Sequence, residues 1–162
     1  MKKFLSCVLA TAMLVGVLAG CGNSSSNAPA DDKEEQTQSD EGSTDPIYFA
    51  WYGPMTGDSK QYGDTEKVAV ELALEKINGE NGGLLGGREL IVDFYDDKND
   101  AKEAVTIANK IVGEGKYTAV VGGFGSTPSM AAAPIYEEAQ IINYSPTSSH
   151  ADYSSLGDFI FR

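Results

Sequence analysis

The chain has 162 residues, with 24 acidic against 12 basic side chains and a formal net charge of -12. So acidic a surface repels nucleic acid and anionic lipid, and it keeps an exported protein soluble. The two cysteines, Cys7 and Cys21, both lie near the N-terminus, and His150 is the single histidine. The remainder of the chain therefore has no disulfide framework, no cysteine-based metal site and no histidine cluster.

Lys2 and Lys3 form a positive start, followed by an uncharged apolar stretch from Phe4 to Val17. Its length of about 14 residues is short of the roughly 20 a membrane span needs, and it suits the apolar core of a signal peptide. Leu18-Ala19-Gly20-Cys21 resembles the lipobox of bacterial lipoproteins. That resemblance implies cleavage before Cys21 and lipid on its sulfur, which anchors the protein at the membrane. Residues 22–45 are rich in Ser, Asn, Asp, Glu, Gln and Gly, with almost no large apolar residue. Such a segment cannot bury enough surface to offset its ordering entropy, so it is expected to be a disordered tether. Residues 46–162 are left for a folded domain.

Strands and helices alternate through that domain. Ile47 to Tyr52 reads as a first strand. Asp64 to Asn78 reads as a helix, because Val70, Ala73, Leu74 and Ile77 recur at helical spacing. Gly79 and the pairs Gly82-Gly83 and Gly86-Gly87 end it in a turn. Glu89 to Tyr95 is a second strand. Asp100 then offers a helix cap with Glu103 three residues on, and Ala101, Ala104, Val105, Ala108, Ile111 and Val112 give the apolar face. Gly113 and Gly115 close that helix. Thr118 to Val121 is a third strand. Thr127 and Pro128 read as the cap and first residue of a third helix, and Pro134 should kink it or mark a second start. Ile141 to Tyr144 is a fourth strand, and Phe159 to Phe161 begins a fifth.

The pattern predicts an α/β fold, a parallel sheet with helices on both faces. In such sheets ligands bind beyond the carboxyl ends of the strands. Three segments occupy that edge: Tyr52 to Gly63, Gly122 to Ser129, and Ser145 to Tyr153. Gly122-Gly123-Phe124-Gly125-Ser126-Thr127 lets backbone approach a ligand and presents N–H groups at a helix start, which favours a carboxylate. Ser145-Pro146-Thr147-Ser148-Ser149 adds hydroxyls that can accept from an ammonium or donate to a carboxylate. The same residues also serve as ordinary caps and turns, and spacing alone does not separate the two readings. Hydrolysis is disfavoured, since Pro128 stands where a G-x-S-x-G elbow around Ser126 needs glycine, and only His150 is available as a histidine base. Asp96-Asp97-Lys98-Asn99-Asp100 resembles the opening of a calcium loop but lacks its glycine and distal glutamate, so a solvated loop is expected. No phosphate-cradling G-x-x-x-x-G-K-[ST] is present.

Taken together, Pro54-Met55-Thr56-Gly57, Gln61-Tyr62-Gly63, Ile77-Asn78, Tyr95-Asp96-Asp97, Ala108-Asn109-Lys110-Ile111-Val112, Ser126-Thr127, Ile135-Tyr136-Glu137 and Ser145-Pro146 resemble the branched-chain amino-acid-binding proteins. The terminal Phe161-Arg162 resembles that family's strand ending in arginine, and the resemblance runs from Ile47 to Arg162. It implies a type I periplasmic-binding fold in which two lobes trap a ligand, no enzymatic activity and no cofactor. The implied partners are the permease and ATPase of an ABC transporter. By the same resemblance Ser126, Thr147 and Ser149, with Ser148 adjacent, hold the amino-acid head group, while Tyr62 and Phe124 line the side-chain pocket. Thr147 and Ser148 replace the small residues usual after Ser-Pro, and Trp51 and Tyr52 are bulkier than usual, which leaves the ligand's side chain open. Relatives of the fold also bind amides, urea or aromatic acids, and a receptor's sensing domain is the second reading. The expectation is that 46–162 is the first lobe, without the second and its acid for the ligand's ammonium.

Overall fold

Alternation along the first strand divides the molecule into two layers. In β1 (Ile47–Gly53), Ala50 and Tyr52 point to one face of the sheet, while Phe49 and Trp51 point to the other. The computed structural model describes residues 43–162. The signal segment, Cys7, Cys21 and nearly all of the expected tether lie outside the described residues. Among those described, no helix is long and apolar enough to cross a membrane.

Four further strands follow: β2 (Leu90–Asp96), β3 (Tyr117–Gly122), β4 (Ile142–Tyr144) and β5 (Ile160–Phe161). They form one sheet in the order β2-β1-β3-β4-β5, and each neighbouring pair is parallel. The expected parallel α/β architecture is thus the observed one. The order reverses at β1: the chain steps outward to β2, then returns past β1 to β3. The loops after β1 and β3 therefore leave the sheet in opposite directions and open a crevice between them.

Helix α2 (Ala101–Glu114) and helix α3 (Ser126–Glu138) cover one face. Ala104, Ile107, Ala108 and Ile111 of α2 and Ala132, Ala133 and Tyr136 of α3 pack on Ala50, Tyr52, Val120 and Ile160 of the sheet. Small residues at 104, 108, 132 and 133 let the two helices lie close. Ile107 belongs to this core, although the expected stripe omitted it, and Val105 and Val112 of that stripe are only half-buried. Asp100 caps α2 as expected, accepting from the N–H groups of Lys102 and Glu103, and Gly115 closes it in the left-handed region at φ 63°. Gly113 lies inside the helix rather than at its end.

The opposite face carries helix α1 (Lys60–Leu74), extended by a π-helical turn, Glu75–Glu80. It begins four residues before the expected start. Val70, Leu74 and Ile77 meet Phe49, Trp51, Leu90 and Val92 around a cavity of about 150 Å3. They are only half-buried and Ala73 is exposed, and Val121 of β3 also lines the cavity. Asn78 anchors its end, donating to Leu90 O at 2.8 Å and accepting from Leu90 N at 2.9 Å. In α3 the cap is Gly125, not Thr127, and Pro128 is the third helical residue, where no i-4 bond is lost. The helix runs through Pro134 without a second start.

Candidate functional site

Each wall of the crevice is fixed by a different device. On the α1 side the anchor is Asp96, at the end of β2. Its Oδ1 accepts from the backbone N–H groups of Met55, Thr56 and Lys98 at 2.8, 3.1 and 3.0 Å, and its Oδ2 accepts from Thr56 Oγ1 at 2.5 Å. Burial alone would raise the Asp96 pKa, but these donors together hold it below the ordinary value. Gly63 then rests against this loop: a Cβ there would collide with the carbonyl oxygen of Pro54. The loop and the first turn of α1 thus form one unit, and that unit carries Tyr62.

The second wall is the β3–α3 loop. Gly122 adopts φ 136°, and a Cβ on it would strike the backbone of Tyr52, 2.8 Å from its nitrogen. The carbonyl of Gly123 accepts from Ser145 Oγ at 2.7 Å and from Ser129 Oγ at 2.9 Å. Ser145 Oγ in turn accepts from Ser148 N at 3.0 Å, so the segment after β4 is tied to the loop after β3. Helix α3 has no side-chain cap; Pro128 carries no N–H and Ser129 N donates to Gly125 O at 3.1 Å, so the N–H groups of Ser126 and Thr127 are those left at its positive dipole end.

The site residues expected from the sequence meet here in part. The Tyr62 ring, half-exposed, stacks on Phe124 with centroids 4.6 Å apart and planes 17° apart. Ser126 opens α3, and its Oγ accepts from His150 N at 3.2 Å. Its contact with His150 is therefore through the backbone, while the ring Nδ1 accepts from Asp152 N at 3.2 Å. Thr147 is exposed and its Oγ1 lies 3.2 Å from Phe124 O. Ser149 is exposed, whereas Ser148 is 5% exposed and its hydroxyl is buried without a partner. An open cleft of about 470 Å3 adjoins Ser126, lined also by Ala101, Thr127, Met130, Ala131 and His150.

Three carboxylates, Asp96, Asp97 and Glu66, have surroundings that the sequence reading missed. The Asp96–Asp100 loop, expected to be solvated, is so at Lys98 and Asp100, but Asp96 is bonded by four donors and Asp97 is fully buried. Asp97 Oδ1 accepts from Asn99 N at 2.8 Å, while Oδ2 has no partner. Burial first, and then the charges of Asp96 and Asp100, push its pKa up to about 6. Glu66 lies one helical turn beyond Tyr62 and accepts from Thr147 Oγ1 at 3.2 Å. Burial raises its pKa above the ordinary value. The only sequence signal for Glu66 was its i+4 spacing from Tyr62, which puts both on one helix face.

Comparisons with known proteins bear on the family and the fold. A family model described as periplasmic binding protein matches residues 46–160. The leucine-, isoleucine-, valine-, threonine- and alanine-binding protein of Pseudomonas aeruginosa is 38% identical over 120 residues, which is 73% of this chain and 31% of that protein. The Leu/Ile/Val-binding protein of Escherichia coli K12 is 38% identical over 112 residues, 68% of this chain and 29% of that protein. The branched-chain amino acid transporter substrate binding protein of Streptococcus pneumoniae, solved in complex with isoleucine, superposes with a TM-score of 0.66 at 26% identity, over 70% of this chain and 32% of that one. The chain spans about a third of the length of the curated relatives it matches.

Proposed function

Because the chain belongs to the periplasmic binding protein family, we propose that it captures a branched-chain or related amino acid outside the cell and delivers it to the permease and ATPase of an ABC transporter. The crevice between the β1 and β3 loops supports this reading. It joins an uncapped helix start at Ser126, suited to a carboxylate, with the apolar Tyr62–Phe124 stack, suited to a side chain. Ser126, Thr147, Ser148 and Ser149 are proposed as head-group contacts, Ser148 through its carbonyl because its hydroxyl is buried and its N–H donates to Ser145 Oγ. Tyr62 and Phe124 are proposed to line the side-chain pocket. Residues 46–162 are proposed as the first lobe of a two-lobed clamp, held to the membrane by lipid on Cys21.

Binding to the folded state raises its stability by mass action, by about 2.7 kcal/mol at a hundredfold excess over Kd. A thermal-shift screen of the whole protein against amino acids, amides, urea and aromatic acids therefore tests the reading. Stabilisation by leucine, isoleucine or valine, lost in Ser126→Ala, is the expected result. No shift with any amino acid sinks it, and a shift with an amide or aromatic acid alone reassigns the ligand. Thr147, polar and exposed where a small residue is usual, is the observation that favours that second outcome.

A further inference from the structure

Three oxygens meet on the rim of the crevice with one proton among them. Thr147 Oγ1 lies 3.2 Å from Glu66 Oε1 and 3.2 Å from Phe124 O. A hydroxyl has one hydrogen to donate, and both neighbours only accept when Glu66 is ionised. One acceptor is therefore always left over. The other carboxylate oxygen, Glu66 Oε2, is buried and has no partner at all. Nor do the nearby cations help: Lys60 pairs with Asp64, Lys67 with Glu71 and Lys98 with Glu103. Among the described residues Glu66 has no counterion. Burial raises its pKa against the bond from Thr147, and the charge of Asp97 raises it further.

A group with several N–H donors and a positive charge would satisfy the three rim oxygens and offset the uncompensated charge of Glu66. An ammonium has three, one each for Glu66 Oε1, Thr147 Oγ1 and Phe124 O. The opposite electrostatic pole lies two residues along the chain from Phe124, at the start of α3, where Ser126 and the free N–H groups attract a carboxylate. A negative acceptor and a positive helix end on either side of one residue match the two ends of a zwitterion.

We propose that Glu66 is the anionic acceptor for the ligand's ammonium on this lobe, a specificity-determining residue that makes the site select amino acids over the corresponding carboxylic acids. The inference rests on the amino-acid-binding reading above. Its test is calorimetry on the whole protein and on Glu66→Gln with two probes, L-leucine and isocaproate, which is leucine without its amine. Glu66→Gln keeps the shape and removes the charge. It is expected to weaken leucine binding by about tenfold to a hundredfold, the scale of one charge-assisted hydrogen bond, and to leave isocaproate binding unchanged. Equal weakening of both probes would mean that Glu66 only supports the loop and would overturn the proposal. So would unchanged leucine binding by a variant that melts like the wild type without ligand. If the unaltered protein binds no amino acid, the functional reading itself fails and this inference falls with it.

Discussion

Asp97→Asn should stabilise this domain at neutral pH and remove part of its dependence on pH. Asp97 is fully buried, one oxygen accepts a single backbone bond and the other has no partner. The folded state therefore disfavours the charge, and the pKa rises from 3.8 to about 6. An acid whose pKa is raised on folding binds its proton more tightly in the folded state. Between the two values the native state holds more protons than the unfolded one, so stability falls as pH rises through that window and stays low above it. At about 1.4 kcal/mol per unit, a rise of roughly two units corresponds to about 3 kcal/mol. Water access to a loop at the sheet edge reduces this, so a difference of ~1–2 kcal/mol is the working expectation. Urea unfolding of both proteins from pH 4 to pH 8 gives the difference directly. The variant should match the wild type near pH 4 and exceed it progressively to pH 7. Taking the difference cancels the opposite slope of Asp93, whose bonds to Lys116 and Tyr117 lower its pKa. A variant less stable than the wild type at pH 8, with the slope unchanged, would refute the reasoning and mean that the Asp97 carboxylate is stabilised by its surroundings.

Gly63→Ala places a methyl against the backbone of Pro54, which has no flexible end to move aside. Overpacking of this kind costs about 1–3 kcal/mol, measurable by denaturant unfolding. Because the shift displaces the loop that holds Tyr62, the loss in ligand affinity should exceed the loss seen for an equally destabilising change in α2. Tyr153→Phe removes the hydroxyl that donates to Asn143 Oδ1 at 2.5 Å inside the core. The amide oxygen left unpaired there should lower stability by about 1–3 kcal/mol with no effect on ligand binding, since both side chains are fully buried.

The local elements were legible because their causes are local. Asp100 and Gly115 announce both ends of α2 through side-chain capping and a left-handed residue, and both act where the sequence put them. The apolar runs of the strands pointed to the correct sheet class. The start of α3 was misread by two residues because Gly125 closes it through backbone conformation, which carries no side-chain signal. The exposure of the α1 stripe was equally hidden, since periodicity reports which face is apolar and not how much sheet lies beneath it.

Sequence alone therefore determined the alternating α/β plan, the residues that cap and break it, and the loops that could meet a ligand. Only the tertiary structure decided what meets across them. The crossover past β1 brings Glu66 to Thr147, 81 positions later in the chain, and sets the Tyr62 ring on Phe124. It also turned a loop expected to be solvated into an anchor at Asp96 and a buried acid at Asp97. The reason is physical: propensity and periodicity act over a few residues, whereas desolvation and charge depend on neighbours that only chain crossovers supply.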